Sequence, residues 1–429
     1  MTVRYPLTSL INNVVDNRGR SAPLAEQGIA LIATNCIKPD AIYPVFEKVR
    51  YVSIETYETW FRGHPRPGDI IIVNKGTPGL TAIVPDPIDF AIAQDMVAIR
   101  ADEAKIYPKY LFAYMRSREF AEQVLSLHVG TLIPHLKKSH FNLLTIPVPS
   151  RAVQETVGDM FFSLSVKIEL NRRMNATLEE MARALFRSWF VDFDPVKVKA
   201  RGGDPSAELG LAPEIAALFP DSFQDSLLGP IPAGWSLRPL DTLGTFLNGL
   251  ALQKFAPRPG EPTIPAIKIA ELRRGVTDAS DRVSANLPEQ YVVNDGDLLF
   301  SWSGSLTALI WTGGRGALNQ HLFKVTSDEF EQWLVLGWIE HHLPEFQDIA
   351  ANKATTMGHI QRGHLNQALC AVPPNAHLYR LGLIAGPIHA TRIQNEVEDK
   401  SLAETRDYLL PRLLGGALDI NKRMEALIG

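Results

Sequence analysis

Residues 130–141 of this chain, Gly130-Thr-Leu-Ile-Pro-His135-Leu-Lys-Lys-Ser-His140-Phe, return 224 positions later as Ala354-Thr-Thr-Met-Gly-His359-Ile-Gln-Arg-Gly-His364-Leu, and the offset then holds without a gap. Val148-Pro149 falls on Val372-Pro373, Asn171 on Asn395, Leu178 on Leu402, Glu180 on Glu404 and Leu185 on Leu409, so the apolar frame persists while charge varies. Upstream the offset is slightly larger. Gly68-Asp69-Ile-Ile-Ile matches Gly296-Asp297-Leu-Leu-Phe at 228, Leu80-Thr81-Ala82 matches Leu306-Thr307-Ala308 at 226, and Gln94 matches Gln320. Two-residue changes between aligned blocks are what loops of varying length produce. The chain is therefore a tandem duplication with a period near half its 429 residues, and each copy must bury a core of its own.

Both copies read alike. Short β-type runs such as Asp69-Ile-Ile-Ile-Val73, Leu80-Thr-Ala-Ile-Val84 and Asp95-Met-Val-Ala-Ile99 are bounded by Pro and Gly turn signals, and a long helix then closes the half. In the first helix the inward positions step by four and three: Val157, Phe161, Leu164, Ile168, Asn171, Asn175, Leu178, Ala182, Leu185, Trp189. That 3.5-residue period is a coiled-coil seam, and Asn at two seam positions fixes register at some cost in stability. The second helix repeats the frame with Leu381, Ala385, Ile388, Asn395, Leu402, Leu409 and Leu413, and puts Arg392, Asp399 and Arg406 at the seam positions between. Pro387 and Pro411 are expected to kink or bound it, leaving a continuous part from about 387 to 410. The expected fold class is α+β: two tandem mixed α/β domains, 1–150 and 231–373, separated by two long antiparallel coiled-coil helices, 151–190 and 374–429, as a pseudo-two-fold internal repeat. At 1.5 Å per residue a helix of roughly 35 residues is about 50 Å long, which makes the pair a spacer.

Between 191 and 230 five prolines, the pair Gly202-Gly203 and seven acidic against three basic residues mark an acidic, Pro-rich linker. This stretch accounts for the whole net charge of −4, so the remainder is neutral and free to carry local basic faces. Cys36 and Cys370 are the only cysteines, too few for a disulfide framework or a Cys-based zinc site, which suits a reducing compartment. The opening MTVRYPLTSL has no apolar signal core, and no run approaches the 18 or so apolar residues that span a bilayer, so the expectation is a cytoplasmic protein without membrane contact.

Two related but unequal domains on a rigid spacer suit a ligand with local two-fold symmetry, and DNA is one: paired readers contact two half-sites at a spacing the protein sets. Unequal domains imply unequal half-sites. The order mixed domain, long helix, mixed domain, long helix, with Gly-Asp before an apolar strand, Pro149 with Gln154 where the first helix begins, and Ile231-Pro232-Ala-Gly234-Trp235 opening the second half, resembles the specificity subunit of type I restriction-modification systems over essentially the whole chain. The resemblance implies a non-catalytic subunit whose two target-recognition domains read a bipartite double-stranded DNA site. It also implies helices that set the spacing and dock two methyltransferase subunits, which restriction subunits then join. S-adenosylmethionine, ATP and Mg²⁺ would then belong to those partners, with no cofactor in this chain. Asn171, Leu178, Leu185, Trp189, Asn395, Leu402 and Leu409 of the seam are the candidate partner-interface positions. Leu378 stands where Gln154 would map, a departure from the pattern.

No GxxxxGK[ST] loop is present to cradle a nucleotide phosphate, and no Asp/Asn-Pro-Pro-aromatic tetrapeptide of an amino-methyltransferase. Pro85-Asp86 with Glu103-Ala104-Lys105 is formally the PD...ExK arrangement of Mg²⁺-dependent nucleases. The pattern is short, has no counterpart in the second half, and reads as a solvated turn. A purely protein-binding scaffold would explain the coiled coil but not two divergent globular domains.

The paired histidines, His135 with His140 and His359 with His364, diverge by about 140° on a helix and have no Cys or acidic partners at ligand spacing. Either they contact DNA, alongside Thr131, Lys137 and Lys138 or Thr355, Thr356, Lys353 and Arg362, or they build the domain core. An amide such as Gln94 or Gln320 can bond adenine bidentately or satisfy a loop. Lys75, Thr77, Trp302, Ser303 and Ser305, in the loops after the Gly-Asp strands, differ between halves as readers of different half-sites should.

Overall fold

A computed structural model describes residues 3–17, 19, 21–127, 135–352 and 358–415, so Thr131, Lys353, Thr355 and Thr356 lie outside the described residues. The chain divides into two units, Met1–Asn171 with Asp399–Gly429, and Arg172–Glu398.

In the first unit the strands are β1 (Arg4–Pro6), β2 (Ile11–Val15), β3 (Ile29–Ile32), β4 (Arg50–Val52), β5 (Ile70–Val73), β6 (Thr81–Ile83), β7 (Phe90–Ile92), β8 (Met96–Ala101) and β9 (Thr145–Pro147). They form a four-stranded sheet in the order β2-β8-β5-β6, a three-stranded sheet β4-β3-β7 in which β3 and β7 run parallel, and the pair β1-β9. The α-helices α1 (Ile54–Thr59), α2 (Pro108–Met115) and α3 (Arg118–Ser126) accompany them, with a short 3-10 helix over Lys138–Asn142. Helix α4 (Arg151–Phe186) follows and contributes Val157 and Phe161 to the core of this unit.

The second unit opens with α5 (Asp194–Ala200), α6 (Pro205–Leu209) and α7 (Pro213–Ala216), followed by the paired strands β10 (Phe223–Gln224) and β11 (Ile231–Pro232). Strands β12 (Ser236–Pro239), β13 (Thr245–Asn248), β14 (Thr263–Ile267) and β15 (Arg282–Ser284) come next, with α8 (Ile269–Arg274) after β14. The remaining elements are β16 (Val292–Val293), β17 (Leu298–Ser301), β18 (Thr307–Ile310), β19 (Gly316–Leu318), β20 (Leu322–Thr326), α9 (Gln332–Asn352), α10 (Arg362–Gln367), β21 (Leu369–Val372) and α11 (Asn375–Leu414). The sheet order β13-β20-β17-β18 and the pair β12-β21 reproduce those of the first unit, and β15-β14-β19 repeats β4-β3-β7 with its parallel pair, β14 with β19, and adds β16 at the edge. The sequence repeat is a repeat of topology.

The Gly-Asp signature recurs because it builds the same turn twice. Gly68 and Gly296 take φ of 84° and 93°, which side chains with a Cβ rarely adopt. The aspartate carboxylates then accept from backbone two turns' ends: Arg66 N–H to Asp69 Oδ2 and Asn294 N–H to Asp297 Oδ2, both at 2.8 Å. Each carboxylate also pairs with a cation on the neighbouring strand. Arg100 on β8 holds Asp69 through two 2.8 Å bonds, and Lys324 on β20 holds Asp297 at 2.8 Å.

Two expectations are corrected. Segment 191–230 is no bare linker: Pro195, Pro205 and Pro213 sit in the first turns of α5, α6 and α7, where a missing N–H costs nothing, and Val196, Ile215, Leu218 and Phe219 are buried in the core of the second unit. The second long helix is not broken at its prolines, since α11 runs unbroken from Asn375 to Leu414 through Pro387 and Pro411. Gly386 precedes Pro387 and offers no Cβ to clash with the ring, and Pro411 lies within the final turn.

The seam pattern holds residue by residue. None of the expected inward positions of α4 is exposed, nor are those of α11, the charged ones included. Within the first unit Asn171 Nδ2 donates to Asp399 Oδ1 at 2.8 Å, and Arg406 Nη1 reaches Ser165 Oγ at 3.5 Å with its guanidinium over the Phe161 ring. Within the second, Asn395 Nδ2 donates to Asn175 Oδ1 at 2.9 Å, Asn175 Nδ2 to the Arg392 carbonyl at 3.1 Å, and Arg392 pairs with Glu179 at 3.2 Å. As α4 numbers rise, their α11 partners fall, so the two helices are antiparallel in each unit.

Candidate nucleic-acid interface

In each unit the structure brings the loop after the Gly-Asp strand onto the histidine segment. Lys75 and His135 form an isolated antiparallel bridge, and so do Ser303 and His359. The backbone bonds around them repeat: Leu136 N–H donates to Asn74 O at 2.7 Å and Ile360 N–H to Trp302 O at 3.0 Å. The loop carrying Gln94 or Gln320 joins the same junction, through Asn74 N–H to Asp95 O at 2.8 Å and Trp302 N–H to His321 O at 3.4 Å. Three segments far apart in sequence thus meet in one place, twice, on one backbone frame.

Side chains at the two junctions differ. In the first unit Asn74 is fully buried and its Nδ2 donates to the Leu136 carbonyl at 2.6 Å, while Lys75, Thr77, Lys137 and Lys138 are exposed. Gln94 is half-buried with its amide 3.5 Å from Ser21 Oγ. In the second unit Trp302 is half-buried, its indole N–H donated to Asn248 Oδ1 at 2.9 Å and its ring 6.0 Å from Phe323. Ser303, a candidate DNA contact in the sequence, is buried with its hydroxyl 3.0 Å from His321 Nδ1, where it supports the loop. Ser305 is half-buried, Gln320 reaches His321 Nε2 at 3.4 Å, and Arg362 is exposed with Nη2 on the Phe246 carbonyl at 3.1 Å.

The second histidine of each pair has a structural task. His140 Nδ1 accepts from Lys137 N–H at 3.4 Å and His364 Nδ1 from Gln361 N–H at 3.0 Å, each satisfying a backbone donor where a short helix begins. Among the described residues no group of three or more His, Cys, Asp or Glu is placed to hold a metal ion. Asp86, Glu103 and Lys105 are all exposed, and Lys105 pairs with Asp102 at 2.8 Å within a turn, which is the solvated-turn reading. Sequence reasoning missed Asn74, Asn248 and His321, which brace the junctions; His321 follows Gln320 and Asn74 precedes Lys75, so adjacency to the repeat was the available signal.

Residues 34–180 match the type I restriction modification DNA specificity domain. The HindI specificity subunit of Haemophilus influenzae is 24% identical over 398 residues, spanning 82% of this chain and 86% of that subunit. Residues 34–180 thus carry the likeness to that DNA specificity domain, and the chain is similar to type I restriction specificity subunits over most of its length. The MjaIX specificity subunit of Methanocaldococcus jannaschii is also 24% identical, over 82% of this chain and 79% of its own. The fold is that of the type I restriction-modification S subunit from M. genitalium, at a TM-score of 0.59, 12% identity and 96% coverage of both chains.

The candidate partner-interface positions of this chain face the seam between its two long helices or the cores. Asn171 and Asn395 are bonded across the seam, Trp189 and Leu185 pack into the core of the second unit, and Leu178, Leu402 and Leu409 are half-buried. The second unit also holds a cavity of about 540 Å³ walled by Phe186, Phe190 and Trp333 and edged by Glu340, His341 and His389. Burial, aided by Arg392, pushes the His389 imidazole down to about 4; burial likewise lowers His341 and raises Glu340. Among the described residues no helix is long and apolar enough to cross a membrane.

Proposed function

We propose that this chain reads a bipartite, asymmetric double-stranded DNA site, one part with each unit, and that its long helices fix the unread gap and seat two methyltransferase subunits, which restriction subunits join. The carrying observation is the duplicated junction: one backbone frame in both units, carrying Lys75, Thr77, Lys137 and Lys138 in the first and Gln320 and Arg362 in the second. A shared frame docks both units alike, and divergent side chains read different bases. The outward residues Lys75, Thr77, Gln94, Lys137, Lys138, Gln320 and Arg362 are assigned to DNA contact, and Trp302, Ser303, His140 and His364 to shaping the loops. We assign methyl transfer, with its S-adenosylmethionine, and ATP- and Mg²⁺-dependent cleavage to the partner subunits. The test is genome-wide adenine methylation in cells expressing this chain with its methyltransferase subunit. A two-part motif with a fixed gap that disappears when only this chain is removed supports the reading; a continuous motif, or none from an assembled complex, defeats it.

A further inference from the structure

Beside the first junction lies a groove of about 580 Å³ that no sequence motif announces. Asn13 of β2, Arg62, His64 and Arg66 from the segment before β5, and Lys138 from the histidine segment line it. Arg62, Arg66 and Lys138 are exposed, and among the described residues none of the three is in an ion pair. The nearby carboxylate Asp69 is already held by Arg100, which leaves Asp16 as the acidic residue lining the groove. Three cations against the single carboxylate of Asp16 leave a positive balance that attracts an extended anion, and Lys138 joins the groove to the junction assigned to base contact.

We propose that this groove carries the DNA phosphate backbone past the first unit, with Arg62, Arg66 and Lys138 as phosphate contacts that position the duplex without reading its sequence. The proposal rests on the DNA-reading function above and adds the path of the strand. The second unit handles the matching positions differently. Asn294 stands in the place of Arg66, and Arg362, in the place of Lys138, is bonded to the Phe246 carbonyl. At these two positions the second unit therefore keeps one cation where the first has two.

Each phosphate contact to duplex DNA contributes about 0.9 to the slope of log affinity against log salt. In the chain assembled with its methyltransferase subunits, R62A/R66A/K138A lowers that slope by about 2.7, so that between 50 and 200 mM salt its affinity falls about 40-fold less than that of the unaltered complex. The methylated motif is unchanged, and R62K/R66K/K138R keeps the original slope. A slope change below about 1, or an altered base in the motif, overturns the proposal. If the unaltered complex itself shows no salt-sensitive DNA binding, the reading it rests on fails with it, a result separate from either of those.

Discussion

Replacing Asn171 with alanine removes a donor from the middle of the seam and leaves the Asp399 carboxylate facing it without that bond. Asn171 is 1% exposed and its Nδ2 lies 2.8 Å from Asp399 Oδ1. A hydrogen bond to a charged group contributes about 1.5–3 kcal/mol. For domains of roughly 150–250 residues each kcal/mol moves Tm by about 2–4 °C, so Asn171→Ala is expected to lower the melting of the first unit by about 3–12 °C. Scanning calorimetry is the assay, with the endotherm resolved into components because a chain of two units need not melt in one step. The cycle of Asn171→Ala, Asp399→Ala and the double variant isolates the pair: the double variant should cost clearly less than the sum of the singles. An additive cycle, with coupling under about 0.5 kcal/mol, refutes the claim that this bond holds the seam.

Three further outcomes follow from the structure. Asn74→Ala leaves the buried Leu136 carbonyl without its 2.6 Å donor, costing about 1–3 kcal/mol; methylation mapping should then show relaxed reading in one half of the motif only. Gly158 of α4 sits where a Cβ would come 2.6 Å from the Tyr110 backbone nitrogen of α2, so Gly158→Ala should cost about 1–3 kcal/mol by overpacking, read by urea denaturation, despite alanine's better helix propensity. His389 is held neutral down to about 4 in the fold against its ordinary 6.5, so the unfolded chain takes the proton first as pH falls. Stability of the second unit is therefore complete above about 6.5 and declines toward pH 4, by on the order of 3 kcal/mol. A His389→Gln variant that keeps the full decline would contradict this.

What the sequence made legible was what local chemistry repeats. The Gly-Asp turns depend on a positive φ and a nearby carboxylate, so their spelling survives duplication, and the two sheets follow from them. The seam was legible even at Arg392, Asp399 and Arg406, because a 3.5-residue period fixes direction regardless of residue type. Pro387 was misjudged because a glycine before it and packing along the helix outweigh its lost hydrogen bond. Segment 191–230 was misjudged because Pro195, Pro205 and Pro213 start helices instead of ending them, and the apolar residues between them number too few per turn to show a period. The junction residues were found where they lie in the repeat. Arg62 and Arg66 were not, since only the fold carries them to Lys138.

The central claim is that the two units read the two parts of the site independently. Its most direct measurement is the methylated motif of a chimera in which residues 1–150 come from another specificity subunit of known motif, expressed with the same methyltransferase subunit. The account predicts that one part of the motif changes to that of the donor while the other part stays. A motif that changes in both parts, or in neither from an assembled complex, would contradict it.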